Sequence, residues 1–366
     1  MDQPVDNAIR LLSELIATPS LSRDETRSAD LLFSWLEARG AHPQRLYNNV
    51  WAVAGGFDPS RPTLMLNSHH DTVRPSSSYT RDPFAPVIEH GRLYGLGSND
   101  AGASLVALVE VFLEFCDKPL PFNLLLALSA EEECAGENGL RALLPELMNT
   151  CHIDMAIVGE PTSMQAATAE RGLVVLDCTT HGKSGHAARN EGVNALYAAM
   201  DDIALLRGFR FEKESAVLGG IGISVTQIEA GTQHNVIPDK CRFVVDVRTT
   251  DAYTNEETVE ILQRALHADA VPRSTRIRAS VIADNHPLVQ AAVAAGCQTF
   301  ISPTTSDRTL MPFPALKIGP GESARSHTAD EFVGLDEIEN GIDGYRKIIK
   351  ILVSLYYGNK TVGQGV

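Results

Sequence analysis

The sequence has no uninterrupted apolar run of about 18 residues, so no segment reads as a bilayer-spanning helix. Its six cysteines (Cys116, Cys134, Cys151, Cys178, Cys241, Cys297) form no CxxC pair and show no regular spacing, and reduced thiols in a cytoplasm are the expectation. Positive charge is scarce. The formal net charge of −15 repels phosphate backbones and anionic membrane surfaces, which excludes nucleic acid and membrane as partners. The basic-then-apolar order of a signal peptide is also missing: Met1 to Ala17 carries Asp2, Asp6 and Glu14 and reads as an amphipathic helix. No internal repeat or low-complexity tract is visible.

What is present suits a globular protein, with 44% hydrophobic and 21% charged residues. A chain of 366 residues exceeds the size at which one core usually keeps growing, and two domains are expected. After a second helix, near Asp24 to Arg39, strand-like runs alternate with helical ones, the α/β pattern. Three of these runs end in ionisable residues. Thr63 to Leu66 leads into His69-His70-Asp71, Asn123 to Leu128 into Glu131-Glu132-Glu133, and Met155 to Val158 into Gly159-Glu160. Open α/β sheets place their sites at such strand ends. Asp100 precedes the expected helix Ala101 to Phe115, in an N-terminal or capping position.

From about Gly172 the order becomes strand Leu173 to Thr180, helix Val193 to Leu206, strands Gly222 to Ile228 and Cys241 to Thr249, helix Asn255 to His267 and strand Arg276 to Ile282. This is the βαββαβ, ferredoxin-like order. The expectation is a catalytic α/β domain with a mixed sheet (residues 1–169 and 284–366), interrupted by a smaller inserted domain (170–283).

Taken singly, each polar cluster has a plain explanation. His69 and Asp71 fall on one side of a strand end and suit a metal ligand with a carboxylate that orients it, yet a polar loop would look the same. Three adjacent glutamates could divide the work of ligand and general base, or could be a solvated helix start. Glu160 and Asp100 could each be a capping acid. Jointly, His69, Asp100, Glu133, Glu160 and His327 supply the nitrogen and oxygen donors that zinc, cobalt or manganese accept.

The motifs SHHDTV (68–73), LYGLGSND (93–100), SAEEE (129–133), GEPT (159–162), HGKSGHA (181–187), HNVIPDKCRFVVDVR (234–248) and SHTADE (326–331) occur in this order across nearly the whole chain. In this the sequence resembles the M20 family of metallopeptidases and deacylases, close to acetylornithine deacetylases and succinyl-diaminopimelate desuccinylases. Many relatives follow the bridging Asp with Met-Lys-Gly where this chain has Ala101-Gly102-Ala103, which suggests a distinct subgroup.

The resemblance implies two divalent metals, zinc first and cobalt or manganese as alternatives, bridged by Asp100. His69 and Glu160 would complete one site, and Glu133 and His327 the other. Glu132 matches the general base, Asp71 the carboxylate that orients His69, and Glu131 would lie outside the ligand shell. The inserted domain would act as a dimerisation and lid domain, with His186 reaching the partner subunit's site to hold the oxyanion. Asn235, Arg248 and Thr305 match substrate-binding positions, and an Arg248 guanidinium suits a two-point grip on a carboxylate. The implied enzyme is a homodimeric amide hydrolase that removes an acetyl or succinyl group from an amino acid, an N-acylornithine in arginine biosynthesis. A diaminopimelate desuccinylase and a dipeptidase or exopeptidase are the alternatives.

Overall fold

The computed structural model describes residues 3–189 and 191–362 and divides into two compact units. One comprises Met1–Thr168, Ile282–Phe300 and Ser306–Val366; the other comprises Ala169–Val281 and Ile301–Thr305. Met1 and Asp2, the start of the expected first helix, lie outside the described residues.

The main sheet of the first unit is built on β1 (Gln44–Leu46), β2 (Asn49–Val53), β3 (Thr63–His69), β4 (Asn123–Ser129), β5 (Met155–Val158), β6 (Ala166–Glu170) and, late in the chain, β11 (Ala315–Lys317), and a small separate sheet joins Val87–Glu89, Arg92–Tyr94 and Phe332–Gly334. The strands of the main sheet neighbour one another in the order β1-β2-β4-β3-β5-β11-β6. The centre, β4-β3-β5-β11, is parallel, while β1, β2 and β6 join antiparallel. β3 and β4 are buried along their whole length, and this is why their sequences are nearly continuous apolar runs. Leu64, Leu66 and Leu126 pack on one face with α1 (Gln3–Ile16), α3 (Ala103–Phe115) and α8 (Leu335–Val362). Met65, Leu125 and Ala127 pack on the other with α4 (Leu140–Thr150). Each buried leucine contributes about 2 kcal/mol, enough to hold the strand ends rigidly. Two further helices complete the unit, α2 (Thr26–Glu37) and α7 (Pro287–Ala295).

The second unit runs β7 (Gly172–His181), α5 (Ala195–Gly208), β8 (Gly222–Ala230), β9 (Lys240–Thr249), α6 (Asn255–Ala265) and β10 (Asp269–Pro272). Its antiparallel sheet has the order β8-β9-β7-β10. Val174, Leu176, Phe243 and Val245 form its core with Ala199, Leu206, Val259 and Leu262 of the helices.

Two local expectations need correction. The last strand of this antiparallel sheet is Asp269–Pro272; of the expected Arg276 to Ile282 only Ser280–Val281 forms a strand, and it pairs antiparallel with Glu170 and Ala169 at the end of β6. The Asn255 side chain donates to the carbonyls of Thr275 (2.9 Å) and Ile277 (2.8 Å), and the Ile277 carbonyl also accepts from Leu173 N–H (2.9 Å), a single bridge to β7. Proline argues against a strand, but β10 is an edge where a missing N–H is tolerated. Nor does Asp100 cap a helix. It sits in non-helical backbone (φ −114°, ψ 101°) at a kink before α3, and no side-chain cap bond forms there.

Candidate metal centre

His69 ends β3 and pairs in parallel register with Ser129, the end of β4. The acidic turn Glu131-Glu132-Glu133 therefore begins beside the imidazole. His69 Nδ1 lies 3.0 Å from the Asp71 carbonyl oxygen and 3.4 Å from its Oδ1, both acceptors, so this nitrogen carries the proton. Nε2 is left facing Asp100 Oδ1 at 3.4 Å and Glu160 Oε1 at 3.8 Å. The other oxygen of Asp100, Oδ2, lies 3.6 Å from His327 Nε2, which is 2.9 and 3.0 Å from the two oxygens of Glu133. Asp100 thus turns one oxygen to each of two groups, His69/Glu160 and Glu133/His327. Within each group the candidate ligand atoms lie within 4.8 Å of one another.

Asp71 does more than orient His69. Its oxygens accept from Ser22 Oγ (2.7 Å) and from the backbone N–H groups of Glu132 (2.9 Å) and Glu133 (3.1 Å), which ties the acidic turn to β3. Glu131 turns away and accepts from the backbone and side chain of Asn138. Glu131 (φ 55°) and His327 (φ 59°) occupy the left-handed region, uncommon for residues with a Cβ and concentrated at functional sites.

The electrostatics fit dications. Burial pulls the His69 imidazole toward its neutral form, but the Asp100 and Asp71 carboxylates outweigh it and raise its pKa well above the usual value. The contact with Glu133 raises His327 to about 9. Burial pushes Glu132 well above the carboxylate range, and the charges of Glu160, Asp307 and Glu133 add to this, against the pull of His69. Protons on the imidazoles therefore stand where positive charge is demanded, and among the described residues the ion pairs of Asp100 and Glu133 are to imidazoles. Two histidines and three carboxylates form a donor set suited to zinc or a similar metal.

Two residues near the centre had no role assigned from sequence. Glu331, the last residue of SHTADE, is buried and accepts from the N–H groups of Gly97 (2.9 Å), Asn99 (2.8 Å) and Asp100 (2.8 Å), fixing the kink that carries the Asp100 carboxylate. Burial raises its carboxyl to about 7. Asp307 is buried as well, with Oδ2 2.5 Å from Ser129 Oγ. Both acids have polar neighbours in the sequence, in Ala329-Asp330-Glu331 and Ser306-Asp307-Arg308-Thr309, so no local pattern marked them.

The remaining expected site residues lie in the second unit. His186 is exposed, and its Nδ1 accepts from the Ala188 N–H (3.1 Å), so the neutral ring carries its proton on Nε2. Asn235 is close by: its carbonyl accepts from Ala187 N–H, and His186 pairs with Val236. The Arg248 fork is engaged by Asp246, with Nε at 2.8 Å from Oδ1 and Nη2 at 3.1 Å from Oδ2. Thr305 is half-buried in the short segment that groups with this unit.

With this geometry in hand, likeness to known proteins decides the family. The profile of Peptidase family M20/M25/M40 matches residues 65–351. The chain belongs to this family. It is an M20 metallohydrolase. A succinyl-diaminopimelate desuccinylase of Delftia acidovorans is 27% identical, over 95% of this chain and 98% of its own length. An acetylornithine deacetylase of Proteus mirabilis is 28% identical, over 90% and 93%. The Bacillus subtilis YXEP protein, described as a dinuclear metal binding peptidase from M20 family, shares the fold with a TM-score of 0.73, 17% identity and coverage of 97% and 99%. Among the described residues of this M20 protein, no helix is long and apolar enough to cross a membrane.

Proposed function

We propose that this M20 hydrolase removes an acetyl or succinyl group from the α-nitrogen of an amino acid, an N-acylornithine being the preferred substrate, as a step of arginine biosynthesis in the cytoplasm. The observation that carries the hydrolytic part is Asp100, with one oxygen toward each of two histidine-carboxylate groups beside Glu132. Deacylase relatives aligned over nearly the whole chain support the acyl-amino-acid part, and the desuccinylase among them favours diaminopimelate as the second substrate to examine.

His69, Asp100 and Glu160 would hold one divalent ion, and Asp100, Glu133 and His327 a second, zinc in preference to cobalt or manganese. Bound there, such ions supply Lewis acidity and lower the pKa of water. Glu132 takes a proton from the attacking water on its carboxylate and hands it to the leaving nitrogen, so the amide yields a carboxylic acid and a free amine. His69 is kept in one tautomer by Asp71, and Glu331 holds Asp100 in place.

His186, with its proton on Nε2, would donate to the oxyanion in the partner subunit of a homodimer formed through the second unit. Tyr197 and Met200, 65% and 55% exposed on α5, support such an interface. Arg248, with Asn235 and Thr305, would bind the α-carboxylate of the substrate. The test is a panel of acetylornithine, acetylcitrulline, succinylornithine, succinyl-diaminopimelate and several dipeptides. Higher kcat/KM on the N-acyl amino acids supports the reading, and faster cleavage of dipeptides overturns it in favour of a peptidase.

A further inference from the structure

One buried acid of the first unit has no place in the chemistry just described. Asp307 is 5% exposed, lies in the short 3-10 turn Asp307–Leu310, and is 178 residues from the serine it touches. Burial raises its carboxyl to about 6, and Asp71 nearby adds to the shift. A buried acid close to other acids works against folding, and such groups persist where they serve a site.

Its surroundings show what it serves. Ser129 Oγ donates to Asp307 Oδ2 at 2.5 Å and accepts from Asn67 Nδ2 at 3.1 Å. Asn67 lies two residues before His69 on the same strand, and Ser129 is the register partner of His69 and the last strand residue before the acidic turn. The turn bearing Asp307 is itself fixed. The fully buried Arg308 donates from Nη1 to the Ala167 carbonyl (2.8 Å) and from Nη2 to that of Thr168 (2.7 Å), and Thr309 Oγ1 donates to the Ser306 carbonyl (2.9 Å). Asp71 secures the acidic turn at Glu132 and Glu133, where the backbone has already turned, whereas Ser129 secures it where the strand ends.

We propose that Asp307 is a positioning residue for the hydrolytic reaction: through Ser129 it fixes the exit of β4 and so the placement of Glu132. The role rests on the hydrolase reading and is indifferent to which acyl group or amino acid is used. It requires an acceptor at position 307 rather than a charge. Asp307→Asn keeps the acceptor, and Asp307→Ala removes it.

Two readouts test this, one of them free of activity. In metal-free protein, hydrogen exchange of the amides of residues 130–133 should quicken about tenfold in Asp307→Ala and in Ser129→Ala, stay near the wild-type rate in Asp307→Asn, and remain unchanged in the second unit. In metal-loaded enzyme, on whichever amide the wild type cleaves fastest, the two alanine variants should lose roughly 30-fold in kcat with little change in KM or in metal content, and the double variant should be no worse than either single one. Unchanged exchange at 130–133 overturns the proposal, as does exchange that rises equally throughout the first unit, which would mark a merely structural acid. A wild type inactive on every amide defeats the hydrolase reading instead, and the exchange data still decide the role of Asp307. If Asp307→Ala does not fold, Ser129→Ala carries the same comparison with the loss of a single oxygen.

Discussion

The two units treat their polar residues in opposite ways. In the first, His69, Asp71, Asp100, Glu132, Glu133 and Glu160 converge at the ends of buried strands and in the turns that follow, and backbone donors hold the carboxylates of Asp71 and Glu331. In the second, His186 and Asn235 stand exposed, and the Arg248 fork is occupied by a neighbour two residues away. The candidate ligands of the first unit come together within that one unit, where buried leucines fix the strand ends. On the function proposed above, His186, Asn235 and Arg248 would engage only when a substrate or partner subunit arrives; as they stand, they pair locally or face water.

The largest effect that could break this contrast belongs to Glu132. Glu132→Gln removes a base and no ligand, so turnover should fall by at least ~100-fold while two metals per chain are retained in elemental analysis. Glu133→Gln should instead lose metal from the group that contains His327. The reverse outcome would exchange the roles of these adjacent glutamates.

The second unit is tested next by complementation. His186→Ala alone should lower kcat by roughly 100-fold, as loss of one oxyanion donor does. Mixed with Glu132→Gln subunits it should recover activity at one site of each mixed dimer. No recovery after demonstrated subunit exchange would place His186 and the metals in one chain's own site.

How much of this was legible in the sequence differs between the units for physical reasons. His69, Glu133 and Glu160 could be found because each comes shortly after an apolar strand run (Leu64 to Leu66, Leu124 to Leu128, Met155 to Val158), a local pattern. Asp307 and Glu331 could not be assigned roles, since what they do depends on partners 178 and more than 230 residues away. Segment 276–282 has the alternation of a strand, but only Ser280–Val281 of it pairs as one, with Glu170 and Ala169 at the end of β6, and β10 was hidden by its own proline. The pairing of Arg248 with Asp246 was open to view as a spacing of two on one strand face, yet a charge pattern does not say whether such a pair will part for a ligand.

That last question yields a smaller effect. Arg248→Ala should lower kcat/KM for substrates with a free α-carboxylate by about tenfold, roughly 1.4 kcal/mol. Amidating that carboxylate should cost the wild type a similar factor, and the two losses should not add. Asp246→Asn, which loosens the fork's present partner, should lower KM. Equal turnover of free and amidated substrates would show that Arg248 is a strand-surface charge.

The smallest effect contrasts two buried acids. Asp202 in the second unit is fully enclosed and accepts from the N–H groups of His267 (3.0 Å) and Ala268 (2.8 Å). Glu110 on α3 is also buried, yet its Oε1 has no hydrogen-bond partner, although Arg39 and Arg10 lie near enough to moderate its charge. Burial raises Glu110 from 4.5 to about 7. Between those two pH values the folded protein keeps a proton that the unfolded chain has released. Stability therefore falls as pH rises from about 4.5 to about 7, and the loss is complete above that. The full shift corresponds to at most roughly 3 kcal/mol, and solvent screening at a helix surface reduces it to on the order of 1 kcal/mol. Glu110→Gln should accordingly raise Tm by about 1–2 °C at pH 8 and leave it nearly unchanged at pH 4.5. Asp202→Asn should lower Tm at both, because one of its oxygens becomes a donor facing backbone N–H groups. A Glu110→Gln gain that persists at pH 4.5 would mean that the variant improves packing or hydrogen bonding, and that the proton on Glu110 contributes nothing.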